Sequence, residues 1–317
     1  MPFRHLVIVI VALFVTTLPA KAGPALVFEV GSGEVIYSED ADTAWHPASL
    51  TKLMTAYLTF QALKDGRLKL DDKLVCSEAA NKTSPSKVGL PVGAEMTVDL
   101  GIRALIVKSA NDVAVMLAER IGGSEAGFAT MMNETARKLG MTRSHFNNPH
   151  GLPDPGQITS ARDMALLTRA IIRDFPEYAE LFTMESVMIG KRRLASHNGL
   201  LKTFEGADGM KTGFICDSGY NIVASATREE HRLVAVVLGE ASSSTRNLRA
   251  MMLLQHGFES REWKEYFGSA TLDNLPVEPG ATTTPVSIRT QVKAAACGYR
   301  GASTGKKSTK KKKKKKK

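Results

Sequence analysis

Gly209-Met-Lys-Thr-Gly-Phe-Ile215, Tyr220-Asn-Ile-Val-Ala-Ser-Ala226 and Leu233-Val-Ala-Val-Val-Leu238 follow one another late in a chain of 317 residues. Each run is too short for a stable helix and is rich in β-branched or aromatic residues, and glycine or polar residues bound it. They read as three strands. Arg228-Glu-Glu-His231 is the short polar turn between the last two. Near the opposite end, Ala25-Leu-Val-Phe-Glu-Val30 and Val35-Ile-Tyr37 flank Gly31-Ser-Gly33 and read as a hairpin.

The middle of the chain has the helical period. Residues 49–64 place apolar side chains at Leu53, Tyr57, Leu58 and Phe60 to Leu63, as a buried helix does. Residues 98–107 follow Thr97, a good N-cap, and 124–139 stop at Gly140, a good C-terminal signal. Residues 112–121 and 161–173 are further helices, and an amphipathic helix over 245–258 closes the pattern. The order hairpin, helices, strands, helix predicts an α+β domain. Its antiparallel sheet is fed from both chain ends, with flanking helices and a helical subdomain. No internal repeat is visible.

The two ends do not belong to this domain. Arg4 and His5 precede an almost wholly apolar stretch from Leu6 to Leu18, followed by Pro19-Ala-Lys-Ala22. This predicts a secretory signal over residues 1–22, cleaved after Ala22; the run is short for a bilayer span of about 20 residues. No cysteine follows directly, which argues against a lipoprotein. The expected location is therefore outside the cytoplasm, periplasmic or otherwise extracytoplasmic, soluble or peripheral on the membrane.

The net charge of +10 is a property of the other end. From Ala281 onward there are 13 basic residues and no acidic one, so +10 less 13 leaves −3 for residues 1–280. A nucleic-acid-binding face on the body is not indicated. The divisions expected are a folded domain at 23–262, a short connector at 263–280 and a disordered lysine-rich tail at 281–317. The tail's lysines suit peripheral contact with anionic membrane or wall polymers.

Of the three cysteines, Cys76, Cys216 and Cys297, an odd count leaves at least one thiol without an intrachain partner. Cys216 reads as a small packed residue. No spacing of Cys, His or carboxylates suggests a metal, and no cofactor is expected.

Three short motifs carry chemistry. In Ser49-Leu-Thr-Lys52, residues three apart share a helix face, so the hydroxyl and the amine point into one cleft. A serine needs a base to become a nucleophile, and a lysine serves if burial and neighbouring positive charge lower its pKa. Ser109-Ala-Asn111 falls at a break between helices, where Ser109 can relay a proton to a leaving amine and Asn111 can hold a substrate amide. Lys211-Thr-Gly213 lies on a strand whose edge can take an extended peptide. There Lys211 adds charge, Thr212 can bind a carboxylate and Gly213 allows close approach. Each motif alone also has a plain structural reading: an N-cap serine, a helix cap, an ordinary edge strand.

In this order the three resemble the motif set of penicillin-binding proteins and β-lactamases. Residues 25–260 resemble, more narrowly, the low-molecular-weight penicillin-binding proteins that act as D-alanyl-D-alanine carboxypeptidases. His150-Gly-Leu152, Ser160-Ala-Arg-Asp-Met-Ala165, Asp208-Gly-Met-Lys-Thr-Gly213 and Gly219-Tyr-Asn-Ile-Val-Ala-Ser-Ala-Thr227 look like that family's own stretches. The resemblance implies a β-lactamase/transpeptidase-like fold for 23–262. It implies a serine hydrolase that releases the terminal D-alanine of peptidoglycan stem peptides and is acylated by β-lactams. Ser49 would be the nucleophile, Lys52 its base, and the backbone N–H groups of Ser49 and Phe214 the oxyanion hole. Arg246 would help hold the terminal carboxylate. Many relatives carry a second, all-β domain and then an amphipathic anchoring helix; here about 55 residues, mostly low-complexity, follow the catalytic domain.

Other readings stay open. A class A β-lactamase shares the motifs, but its Glu-x-x-Leu-Asn sequence is not found between Gly151 and Gly199. A muropeptide endopeptidase of the same superfamily differs by cleft width, which the sequence does not give. An inactive wall-binding module has no need of both Ser49 and Lys52.

Overall fold

Strands from early and late in the described chain meet in one sheet. The computed structural model describes residues 23–264, 270–292 and 294–297; the expected signal segment and the lysine run lie outside them. The hairpin strands β1 (Ala25–Glu29) and β2 (Val35–Glu39) join β7 (Ala207–Ile215), β8 (Gly219–Arg228) and β9 (His231–Glu240) in the order β2-β1-β9-β8-β7. Every pairing is antiparallel, with Val27 opposite Ala235 and Thr212 opposite Ile222. β7, the strand with Lys211-Thr-Gly213, is therefore an edge.

Helices explain why the central strands are apolar on both faces. The helix α9 (Ser243–Lys264) packs its Ala250 and Leu254 on the face formed by Val27, Ile222, Ala235 and Val237. The other face, with Leu26, Phe28, Val223, Val234 and Val236, meets the main core. That core is built round α1 (Thr51–Lys64), nearly all of whose residues are buried. A helix apolar on all sides belongs inside a protein. Against α1 pack α4 (Asn111–Gly122), α5 (Glu125–Lys138) and α6 (Ala161–Asp174), and α2 (Glu78–Lys82) and α3 (Val98–Arg103) pack on α4.

The expected helix at 98–107 does not run through. It ends at Arg103, continues as a wider π turn over Ala104–Lys108, and stops at Ser109 in the left-handed region, with φ 59°. Several small elements escaped the sequence reading because they are too short to show a period. They are the two-stranded pairings of β3 (Lys73–Val75) with β4 (Glu95–Thr97) and of β5 (Ser186–Ile189) with β6 (Arg192–Ala195), and α7 (Glu180–Thr183) and α8 (Leu200–Thr203).

The start of the tail needs correcting. The chain stays packed well past Ala281, with Ile288 and Val292 buried against the main core. Its apolar residues are irregularly spaced, and its hydrogen bonds go to the body instead of to a ladder of its own. That is why no pattern announced it. The reading of Cys216 also changes. It is joined to Cys297 by a disulfide, while Cys76 is a buried free thiol.

Candidate active site

Ser49 sits in a single 3-10 turn, Ala48–Leu50, that leads into α1. Ala48 has φ 49°, a conformation that costs an L-residue about 1–2 kcal/mol. Two glycines seat this turn. A Cβ on Gly151 would lie 1.8 Å from Ala48 O, and one on Gly213 would lie 3.0 Å from the backbone N of Ser49. Any side chain at either position pushes the turn out of place.

Lys52 is carried into the interior by α1 and is 1% exposed. Its Nζ lies 3.0 Å from Ser49 Oγ, 2.7 Å from Asn111 Oδ1 and 2.6 Å from His150 O. All three partners are neutral. Burial, and then the charge of Lys211, hold its pKa well below the ordinary lysine range, with Asp112 opposing. Asp112 is itself engaged by the backbone N–H groups of Val88 and Gly89 at 3.0 and 2.8 Å. The imidazole of His150 accepts the Leu152 N–H at 3.1 Å. Its Nε2 is 3.7 Å from Glu125. Burial and Lys52 push His150 down to about 3, so this contact is no ion pair at neutral pH.

Lys211 reaches the same region from the sheet. It is 3% exposed and donates to Ser109 Oγ at 2.9 Å and Thr212 O at 3.0 Å. Burial, then the nearby Arg246, push it down to about 7. Arg246, in the first turn of α9, is 4% exposed. It bonds the amide oxygen of Asn247 at 3.0 and 2.7 Å and makes no ion pair among the described residues. Burial depresses its pKa to about 10. A guanidinium kept from both water and carboxylates is a ready partner for an incoming anion.

Ser49, Ser109, Asn111, Thr212, Gly213, Phe214 and Arg246 all line one cleft of about 500 Å³, with Lys52 and Lys211 behind its wall. The structure thus brings together every residue singled out from the sequence. It adds Leu152, Ser86, His197 and Tyr220, whose ring is 4.3 Å from that of Phe214. Leu152 and Tyr220 lay in stretches noticed for their resemblance, but without a position. His197 and Ser86 carry no signal in the sequence. None of the residues lining the cleft is Asp or Glu. Among the described residues no group of three or more His, Cys, Asp or Glu side chains is placed to hold a metal ion.

Residues 14–242 match the family described as D-alanyl-D-alanine carboxypeptidase. The D-alanyl-D-alanine carboxypeptidase DacA of Haemophilus influenzae is 38% identical over 254 residues, 78% of this chain and 64% of that protein. This chain likewise spans 64% of the length of DacC of Escherichia coli. Among solved structures, penicillin binding protein 5 from H. influenzae superposes with a TM-score of 0.73 at 37% identity, covering 75% of this chain and 71% of that one. A penicillin-binding protein from Listeria monocytogenes in its ampicillin-bound form gives 0.69 at 32% identity, covering 75% of this chain and 97% of that one. These likenesses bear out the expected fold, a transpeptidase/β-lactamase-like domain.

Proposed function

The chain belongs to the D-alanyl-D-alanine carboxypeptidase family, and on that footing we propose that it is a serine carboxypeptidase of peptidoglycan. It removes the terminal D-alanine of stem pentapeptides through an acyl-enzyme on Ser49. Neutral Lys52 takes the Ser49 proton as Oγ attacks the carbonyl between the two D-alanines. The N–H groups of Ser49 and Phe214 receive the oxyanion. Ser109, held by Lys211, passes a proton to the departing amine, and Asn111 holds the substrate amide. Lys211, Thr212 and Arg246 hold the terminal carboxylate. Water then releases the shortened peptide.

The observation that carries this reading is the 3.0 Å contact between Ser49 Oγ and the buried, carboxylate-free amine of Lys52. The test is labelling with a fluorescent penicillin together with D-alanine release from a pentapeptide. Both should map to Ser49, and a penicilloyl adduct on another residue would overturn the assignment. A cross-linked dimer tried beside the pentapeptide decides between carboxypeptidase and endopeptidase. The absence of a carboxylate from the cleft lining speaks against rapid deacylation, so the penicillin adduct should be long-lived. Fast turnover of benzylpenicillin would favour the β-lactamase reading instead.

We also propose that the enzyme acts outside the cytoplasm, as residues 1–22 imply, and that its terminal lysines draw it to anionic membrane or wall. No helix among the described residues is long and apolar enough to cross a membrane. Co-sedimentation of the full chain with anionic vesicles and with wall should be lost at high salt. Binding that salt does not weaken rules out attraction by charge.

A further inference from the structure

The family match ends at residue 242, yet residues 270–292 and 294–297 return across the body as an irregular strap. Arg162, which forms a buried pair with Asp42, donates to Leu275 O at 2.5 Å and Pro276 O at 2.7 Å. The N–H of Ala44 donates to Thr282 O at 2.9 Å. The last grip is on the turn between β7 and β8. Asp217 O accepts the Ile288 N–H at 3.0 Å. The Asp217 carboxylate accepts Ser287 Oγ at 2.9 Å and both Nε and Nη2 of Arg289 at 2.9 and 2.7 Å. Buried Ile288 fills the space over Gly219, where a Cβ would come within 2.4 Å of its Cδ1. Cys216 is bonded to Cys297.

This turn is one contact removed from the nucleophile. Ser218 O accepts the Trp45 indole N–H at 3.0 Å. Asn221 donates to His46 O at 3.0 Å and Pro47 O at 3.2 Å. Those residues run directly into the Ala48–Leu50 turn that carries Ser49, and Gly213 abuts the same turn. On the other side, Ile215 and Tyr220 line the cleft.

We propose that residues 286–292 and 294–297 form a positioning strap. By gripping the β7–β8 turn they hold the Ser49 turn in register with the Lys211-Thr-Gly213 strand, and the Cys216–Cys297 disulfide locks the grip. The proposal rests on the acyl-enzyme reading above. Both cysteines are half-buried, so a reductant can reach the lock. A dithiol opens it by a balanced exchange. Its thiolate attacks one cysteine sulfur and the other cysteine leaves as thiolate and takes a proton; the second thiol of the reductant, as thiolate, then attacks the mixed disulfide, closing the reductant's own disulfide and releasing the first cysteine, which takes a proton in turn.

The test compares second-order acylation by fluorescent penicillin in the full chain before and after treatment with dithiothreitol, well below the melting temperature. Thiol titration in denaturant follows the change from one free thiol to three. Misplacing reacting groups by an ångström costs up to about a hundredfold in rate. We expect acylation to slow by about tenfold on reduction and to recover on reoxidation. Arg289→Gln, with the disulfide intact, should slow it less, and Arg289→Lys should lie between. A plain structural staple would lower Tm and leave the rate unchanged, and equal rates for folded oxidised and reduced enzyme overturn the proposal. If reduction unfolds the protein, Arg289→Gln and Ile288→Ala decide, and unchanged acylation in both overturns it. Failure of every form to label is a different result, and it would sink the acyl-enzyme reading itself.

Discussion

Lys52 and Lys211 approach the cleft from opposite sides, one from the core helix and one from the sheet edge. Both are buried and neither is bonded to a carboxylate. On the helical side, three neutral oxygens surround the amine, and burial together with Lys211 drives its pKa well down. On the sheet side the neighbour is another cation, Arg246, and burial with that charge pushes Lys211 down to about 7. One residue type thus serves two purposes. In the proposed mechanism the helical side makes a base, and the sheet side makes a receptor for negative charge. Position in the fold, and not chemistry of the side chain, sets the difference.

Substitutions can break this contrast. Ser49→Ala removes the group on which the helical side acts and should abolish both penicillin labelling and D-alanine release. Lys52→Arg keeps the positive charge but cannot give up a proton at usable pH. It should lose about a hundredfold or more in acylation. Retention of more than about a tenth of the rate, within about 1.4 kcal/mol of wild type, would mean that another base serves.

Lys211→Ala tests the sheet side. It should weaken carboxylate-bearing peptide and penicillin alike, by about tenfold or more in kcat/KM. An unchanged acylation rate would remove Lys211 from the site. The effect of pH is smaller and sharpens the contrast. The proposed mechanism needs Lys52 neutral and Lys211 charged, so raising pH favours the first and opposes the second. For the free enzyme, kcat/KM should fall as pH rises through about 7, where Lys211 loses its proton. A bound carboxylate favours the charged form, so the fall in kcat should come at higher pH. Lys211→Arg should move the alkaline limb upward, and a limb that stays in place would assign it to another group.

Much of this was legible beforehand because local patterns carried it. The strands at 207–215, 219–228 and 231–240 were visible as β-branched runs between turns, although each extends a residue or more beyond its pattern. Ser49 with Lys52 was visible because three residues make nearly one helical turn. The break at Ser109 was visible, but its form was not. A π turn ending in a left-handed serine depends on packing against α1 and the β5–β6 hairpin. His197 and Ser86 were invisible because nothing local distinguishes a cleft residue from a surface one. The strap was missed for a related reason, since it has no period and every anchor it uses lies far away in sequence.

The sequence by itself determined which groups are candidates for catalysis, the order in which they come and the kinds of element that carry them. Periodicity, capping and turn chemistry act over a few residues, and these features live on that scale. The tertiary structure alone decided the surroundings of each group. It placed Lys52 against neutral oxygens and Lys211 beside Arg246, and it left Arg246 without an acidic partner among the described residues. It also paired Cys216 with Cys297 across 81 residues. Burial and Coulomb interactions depend on distances through space between segments far apart in the chain, so no stretch of sequence records them.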